Sequence, residues 1–501
     1  MQEVELKFQV PPPRLDAVRR AVATSSARTT RLQALYFDTA ARDLAAAGIA
    51  LRLRREGGGW VQTLKGRGDG LMARVEHNVP VRARGTPVLD LSRHDGTPAG
   101  DALRAVGVDA VALQPLFATD VRRTHRRLRA GGATVEVALD VGELRAGDAR
   151  APLAEIEFEL VSGSSRALVA LAARWARRHG LWLDVRTKAE RGDLLARAQA
   201  ASPAVRTQLP VLDASGTPAD ALRAMLRSCL AQVLPNASVV AAGVHDAEHV
   251  HQLRVGLRRL RTALRVFGDA DGAGADPSWE PALAAVFTRL GATRDRDALA
   301  AALLPALAAA GAPLTDPGAP ASTEDPAAVL REPGWTQLLL ALIAFVQPPE
   351  PAGTSPAAEP SWAAGAEGGD LRRWVRRRLQ RAHRGVVSRA DEFAHLPVDD
   401  QHRVRKRVKR LRYSVEFVAA LYPDKAVERY LARLRPAQET LGDYNDVLVA
   451  QSLFEARLAD DPRAWFALGW LAARREAQLA RCARALRRLA RAKPYWRRDR
   501  G

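Results

Sequence analysis

The opening residues constrain the chain more than any other stretch. Glu3, Glu5 and Lys7 alternate with Val4, Leu6 and Phe8. In a strand, where successive side chains point to opposite faces, that puts the charges on one face and the apolar groups on the other. The alternation returns in Arg52 and Arg54 around Leu53, in Arg74 and Glu76 around Val75, and in Glu155, Glu157 and Glu159 around Ile156 and Phe158. A half-buried strand with its polar side in water alternates too. The distribution of sign argues for more, because acids concentrate on the first and last of these segments while Arg52, Arg54, Lys65 and Arg74 occupy those between. A closed antiparallel barrel turns all these faces inward. An interior of mixed charge is costly unless something neutralises both signs, and a divalent metal together with a phosphate chain does so.

At 501 residues the chain has length for more than one core. Up to about residue 160 it reads as short strands punctuated by Gly, Pro and Asp, at 2–10, 31–38, 49–56, 59–66, 72–82, 117–129, 133–141 and 153–161. Helices are expected at 101–107 and 164–180, with a further one starting near Ala189. Strand character ends after Ala196, and from about residue 218 the pattern is amphipathic helix. The expected division is a first domain over 1–200, a linker over 201–216 and a helical domain over 217–497. Two Pro-, Gly- and Ala-rich stretches, 311–334 and 347–370, read as loops flanking a short apolar helix at 335–346.

Glu3-Val4-Glu5-Leu6-Lys7 resembles the ExExK signature of the CYTH family, the triphosphate tunnel metalloenzymes. Tyr36-Phe37-Asp38-Thr39, Leu51-Arg52-Leu53-Arg54, Thr63-Leu64-Lys65-Gly66, Leu139-Asp140-Val141-Gly142, Glu155-Ile156-Glu157 and Lys188-Ala189-Glu190-Arg191-Gly192 follow in the family's order. The resemblance implies an eight-stranded antiparallel tunnel that holds Mg²⁺ or Mn²⁺ on its acids and grips a linear triphosphate with its cations. Carried over residue by residue, Glu3, Glu5, Asp140, Glu155 and Glu157 would be metal ligands, and Lys7, Arg52, Arg54, Lys65, Arg123 and Lys188 would hold phosphate. Arg122, Arg126, Arg127 and Arg129 crowd the strand of Arg123, which leaves its register open. His77 falls on the face opposite Glu76 and His94 in a loop, so direct attack by water is expected rather than a covalent intermediate.

The second half repeats itself. His251-Gln252-Leu253-Arg254 and His402-Arg403-Val404-Arg405 align without a gap at an offset of 151, and Arg254, Arg258 and Arg261 match Arg405, Lys409 and Arg412. Leu290-Gly291 and Asp295 match Leu441-Gly442 and Asp446 at the same offset. On a helix, His251, Arg254, Arg258 and Arg261 fall within roughly an 80° stripe, opposite Leu253, Leu257 and Leu260. This pattern resembles the CHAD domain, a helical domain of two related halves, about 217–310 and 371–495 here. The resemblance implies polyphosphate binding by His251, Arg254, Arg258, Arg261, His402, Arg405, Lys409, Arg412 and Tyr413. Asp295 and Asp446 are read as helix caps or Arg-orienting groups, and His383 as an incidental surface histidine or a member of the basic surface. The expected fold class is therefore α+β, a β-tunnel followed by an all-α domain.

A net charge of +20 points to a polyanionic partner. Cys229 and Cys482 provide neither a disulfide framework nor a thiolate cluster. Without a signal peptide or a long apolar run, the expected location is the cytoplasm, in association with polyphosphate granules, with no membrane and no protein partner. The leading expectation is metal-dependent hydrolysis of inorganic triphosphate or longer polyphosphate. Its alternatives are a non-catalytic polyphosphate-binding protein and a triphosphatase for an organic substrate such as thiamine triphosphate or a nucleotide. Nucleic-acid binding is disfavoured, because the motif helices offer only Tyr413 for base stacking.

Overall fold

The computed structural model of the chain describes residues 2–68, 70–83, 85–270, 272–291, 303–315, 324–347 and 369–497. They form two compact units. The first is Met1–Arg206 with Leu230–Gln252 and Pro326–Pro351, and the second is Thr207–Cys229 with Leu253–Asp325 and Ala352–Gly501. Among the described residues no helix is long and apolar enough to cross a membrane.

In the first unit, strands β1 (Gln2–Gln9), β2 (Arg28–Asp38), β3 (Ala50–Glu56), β4 (Gly59–Arg67), β5 (Ala73–Val81), β6 (Gln114–Ala130), β7 (Ala133–Ala146) and β8 (Ala149–Ser162) form one antiparallel sheet. Its order is β5-β4-β3-β2-β6-β7-β8-β1, and β1 also pairs with β5, which closes an eight-stranded barrel. A two-residue strand, β9 (Trp182–Leu183), adds to the far end of β1. The apolar faces that alternate with the charges are covered from outside. Phe8 meets Phe158 edge to face at 5.7 Å, and Phe158 meets Trp175 of helix α4 (Ser165–His179) at 5.8 Å. Where the apolar face is covered in this way, β1 and β8 turn Glu3, Glu5, Lys7, Glu157 and Glu159 toward the enclosed interior. Sequence periodicity misses helices α1 (Leu15–Val22) and α2 (Asp43–Ala46), whose stretches are too short to show a repeat, while α3 (Pro98–Val106) and α5 (Lys188–Ala196) fall close to expectation.

The helices that follow are α6 (Pro218–Ala242), α7 (Ala247–Phe267), α8 (Trp279–Arg289), α9 (Leu304–Ala309), α10 (Pro326–Arg331), α11 (Pro333–Phe345), α12 (Gly369–Val387), α13 (Val398–Phe417), α14 (Asp424–Arg457) and α15 (Ala464–Ala490). The repeat is visible in their starts. Val398 lies 151 residues after Ala247, so α13 restates α7 at the offset of the histidines, and α12 precedes it as α6 precedes α7. The stretch 311–334 is not wholly loop, since Pro326–Arg331 and the first residues of α11 are helical; each of these helices begins with proline, which suits a first helical position as well as a loop. Within it 316–323, and most of 347–370, lie outside the described residues.

The first unit gathers its later segments onto the barrel's flank. Gln337 of α11 donates to the Ala173 carbonyl of α4 at 3.1 Å, and Asn236 of α6 exchanges two hydrogen bonds with the Val205 backbone at 2.9 and 3.1 Å. In the second unit the end of α7 packs Phe267 against Trp374 of α12 at 5.4 Å and Phe417 of α13 at 6.5 Å.

Candidate active site

The strand registers set the inward charges in rows. Arg123 of β6 lies opposite Asp140 of β7, which lies opposite Glu155 of β8, and Lys7 of β1 lies opposite Glu157 of β8. Opposed residues share a face. On the other side of β1, Glu3 lies opposite Arg74, and beyond it Lys65 of β4 lies opposite Glu76. All these residues but Glu155 line one cavity of about 1170 Å³ in the first unit.

The register of Arg123 is thereby settled: its guanidinium donates to Asp140 at 2.7 and 2.6 Å and to Glu157 at 2.6 Å. Lys188 arrives from outside the strands. Thr187 caps the N-terminus of α5 by accepting from the Glu190 amide at 3.0 Å, which sets Lys188 at the first helical position. Its ammonium lies 2.8 Å from Asp140, 2.8 Å from Glu157 and against Glu155. Gly192 lets α5 approach the barrel, for a Cβ there would meet the Phe117 ring at 2.1 Å.

The predicted metal acids fall into two sets. Carboxylate oxygens of Asp140, Glu155 and Glu157 lie within 4.8 Å of one another, an all-oxygen donor set of the kind hard divalent cations take. Glu3 and Glu5 lie apart from that triad. Glu3 pairs with Lys65 at 2.7 Å, and Glu5 with Arg74 at 3.4 Å and Lys7 at 3.7 Å. Lys7 links the sets, lying 3.5 Å from Glu157. The donor chemistry fits Mg²⁺ or Mn²⁺, provided that Lys188 turns away from the triad when the metal enters.

Electrostatics mark two places where burial and like-charged neighbours outweigh a paired partner. Burial, with Glu5 and Glu76 adding to it against Lys65, pushes the Glu3 carboxyl up to about 8. Burial would also raise Glu76, but Lys65 and a hydrogen bond shared with Glu3 bring it down to about 2. Across the barrel, burial and the neighbouring Arg52 lower Arg54 to about 10, although Glu56 lies beside it. Burial acts on Glu157 as well, and the cations Lys188, Arg123 and Lys7 overcome it to hold the carboxyl well below its ordinary range. The cluster therefore has opposite charges in contact throughout, with burial and like-charged neighbours outweighing the pairing at Glu3 and Arg54.

Several contributors escape the sequence reading. Tyr36 is buried with its hydroxyl 3.3 Å from Arg52. Arg191 donates to Glu155 at 3.0 Å; it lies three residues after Lys188, a spacing that places both on one face of α5 and could have revealed it. His125, two residues on from Arg123 in β6, lies 3.2 Å from Glu136. Arg74 and Glu76 are both in the interior cluster rather than in a solvent-exposed pair. His77 and His94 meet outside the strand rows, Nδ1 to Nδ1 at 3.0 Å, with Gln62 on the far nitrogen of His94 at 3.0 Å.

In the second unit, Arg254, Arg258 and Arg261 of α7 converge on the ring of Phe287 in α8, at 4.5, 5.2 and 5.4 Å. Gly291 leaves room for Arg254, since a Cβ there would lie 2.8 Å from its Nη1. On α13, His402, Arg405, Lys409 and Arg412 are partly exposed, whereas Tyr413 is buried. Burial and the adjacent Arg265 and Arg407 lower Arg410, a sign of crowded cations. Burial raises the Asp446 carboxyl, with Arg405 and Lys409 near enough to pull against it. Asp295 lies outside the described residues. His383 is not at the surface as expected but in the core, with Nδ1 2.7 Å from the Tyr430 hydroxyl, and burial lowers it to about 4.

Comparison with known proteins accords with this geometry. The CYTH domain model matches residues 1–192 and the CHAD domain model residues 224–455. Over 205 residues the chain is 31% identical to an inorganic triphosphatase of Haemophilus influenzae, a match that takes in 40% of this chain and only 56% of that protein. It is 28% identical over 488 residues to an uncharacterized protein of Mycobacterium tuberculosis, covering 90% of this chain and 87% of that one. Among solved structures, the CHAD domain from the plant Ricinus communis aligns with 30% identity and a TM-score of 0.44, over 59% of this chain and 99% of that one. A Hippeastrum protein with a dominant triphosphatase activity aligns with 20% identity and a TM-score of 0.29, over 39% of this chain and 96% of that one.

Proposed function

Since this chain is a CYTH domain followed by a CHAD domain, we propose that it hydrolyses inorganic triphosphate in the barrel with the help of a divalent metal, and binds polyphosphate through its helical half. The observation that carries the first part is the gathering of the Asp140, Glu155 and Glu157 carboxylates within 4.8 Å of one another beside a cavity that Arg52, Arg54, Lys65 and Arg123 also line. A phosphate chain suits the cations and a metal suits the acids, so the two ligands fit the site together better than either alone.

In this reading Asp140, Glu155 and Glu157 hold a metal, with Glu3 and Glu5 completing or adding to the set. When bound, the metal supplies charge stabilisation at the phosphoryl oxygens and lowers the pKa of water. Arg52, Arg54, Lys65 and Arg123 donate to phosphate oxygens, and the forked guanidiniums fix the chain's orientation as well as its charge. Lys7 and Lys188 stand where charge grows on the transferring and leaving groups. Glu157, held ionised by its three cationic neighbours, orients water by accepting a hydrogen bond. Pure anion binding has no use for a carboxylate triad, which weighs against a non-catalytic tunnel.

The helical half supports polyanion binding through its repeated cationic stripes, His251 with Arg254, Arg258 and Arg261, and His402 with Arg405, Lys409 and Arg412. The deciding experiment is phosphate release from inorganic triphosphate, polyphosphate, thiamine triphosphate and nucleoside triphosphates, each with Mg²⁺ and with Mn²⁺. Inorganic triphosphate is expected to turn over fastest, and Glu157→Gln to abolish release while the fold persists. Turnover that survives both this substitution and a chelator would refute the metal site.

A further inference from the structure

We propose a second polyphosphate-binding cleft in the helical half, separate from the histidine stripes and resting on the reading that this half binds polyphosphate. The second unit has a concavity of about 600 Å³ lined by Arg376, Arg377, Gln380, Arg381, Arg384 and Arg497. Five of the six are arginines, and among the described residues its lining holds no carboxylate.

The cleft is built rather than incidental. Its four α12 arginines recur at helical spacing and extend along about 12 Å of helix. The opposite face of α12 is anchored by Leu371, Trp374, Val375 and Leu379, all nearly or fully buried. The fifth arginine comes from the turn Tyr495–Arg497. Gln380 receives the Arg497 Nε at 2.8 Å and the Trp496 indole at 3.3 Å, and Trp496 is buried against His383 and Tyr430. Arg497 is thus held in place across from the helix.

A cleft lined by guanidiniums gains most from a ligand with closely spaced charges of the opposite sign. The nearby indoles, Trp374 and Trp496, are buried and offer no stacking platform, so a chain of phosphates without bases fits better than nucleic acid.

The test compares the full chain with Arg377→Glu/Arg381→Glu/Arg384→Glu, three exposed positions whose reversal leaves the core untouched. Binding of long-chain polyphosphate, of tripolyphosphate and of single-stranded DNA is titrated across salt concentration, with Arg258→Glu/Lys409→Glu as the variant of the histidine stripes. The triple variant should bind long polyphosphate about tenfold more weakly or worse, with the slope of log affinity against log salt reduced by about 2–3. Tripolyphosphate binding should be unchanged, because one short anion does not need the cleft. Equal binding of long polyphosphate by wild type and triple variant overturns the cleft while leaving the stripes standing. Absence of polyphosphate binding by wild type overturns both, and a DNA affinity that exceeds that for polyphosphate and is lost in the triple variant replaces polyphosphate by nucleic acid.

Discussion

Lys188 shows how a single residue can stand in for what the barrel is built to bind. Its ammonium touches Asp140, Glu155 and Glu157 together, and those carboxylates outweigh burial to hold it protonated well above its ordinary range. Lys188→Ala should leave three buried carboxylates without their shared cation, at a cost of about 3–5 kcal/mol. Thermal unfolding should show a lower melting temperature than wild type without metal, and a larger upward shift on adding Mg²⁺. An unchanged Mg²⁺ shift would mean that the triad is not where the metal binds. His94 gives a second prediction, with its sign fixed by burial. Fully buried and next to His77, it is lowered from its usual range to about 4, so the unfolded chain takes up a proton that the folded chain refuses. Stability should be full above about pH 6.5 and fall by about 2–3 kcal/mol as the pH drops toward 4. His94→Gln should flatten that dependence in thermal unfolding. Glu3, Glu5, Lys7, Arg52, Arg54, Arg74, Glu76, Glu155 and Glu157 were legible because they alternate at a period of two, whereas Asp140, Arg123 and Lys188 entered only through the family resemblance. Tyr36 was not legible, since an aromatic hydroxyl carries no pattern that separates it from packing, and for Arg191 the one signal was its spacing of three from Lys188 on α5.

At the scale of elements, the barrel was readable strand by strand, whereas the pieces that steer side chains into it were not. Alternation located β1 to β8 within a few residues, but β9 has two residues and α1 is a short helix without a long repeat, so neither has a period to detect. Closure through the β1–β5 pairing is a long-range fact that no local window contains. Helix α5 carries the sharpest prediction here, because its closeness to the barrel depends on Gly192. Gly192→Ala would drive a methyl into Phe117, which stacks on Tyr36 at 4.6 Å. The expected loss is about 1–3 kcal/mol of stability. Moving α5 also moves Lys188, so KM for triphosphate should rise together with a fall in kcat. A variant that is less stable but kinetically normal would separate the packing of α5 from the placement of Lys188.

At the scale of the whole molecule, chain order and compact unit do not coincide. The first unit takes Leu230–Gln252 and Pro326–Pro351 from the helical half, and α11 covers α4 through Gln337, so a cut near residue 206 would strip part of the barrel's flank. The division of labour is therefore best tested in the full chain by substitutions rather than by fragments. Glu157→Gln should lose triphosphate hydrolysis yet bind long polyphosphate as wild type does, because the carboxylate triad lies wholly in the first unit. Arg258→Glu/Lys409→Glu should do the reverse, since both positions lie in the second unit, on the stripes that the repeat duplicates. Reversing two cations removes about two phosphate contacts, so binding should weaken sharply at moderate salt and its salt dependence should become shallower by about 2. Hydrolysis of free triphosphate should be indifferent to that change, for no residue of the pair lines the barrel cavity. If the double substitution instead slows triphosphate turnover as strongly as it weakens polyphosphate binding, the two halves act as one site and the proposed separation of chemistry from binding fails.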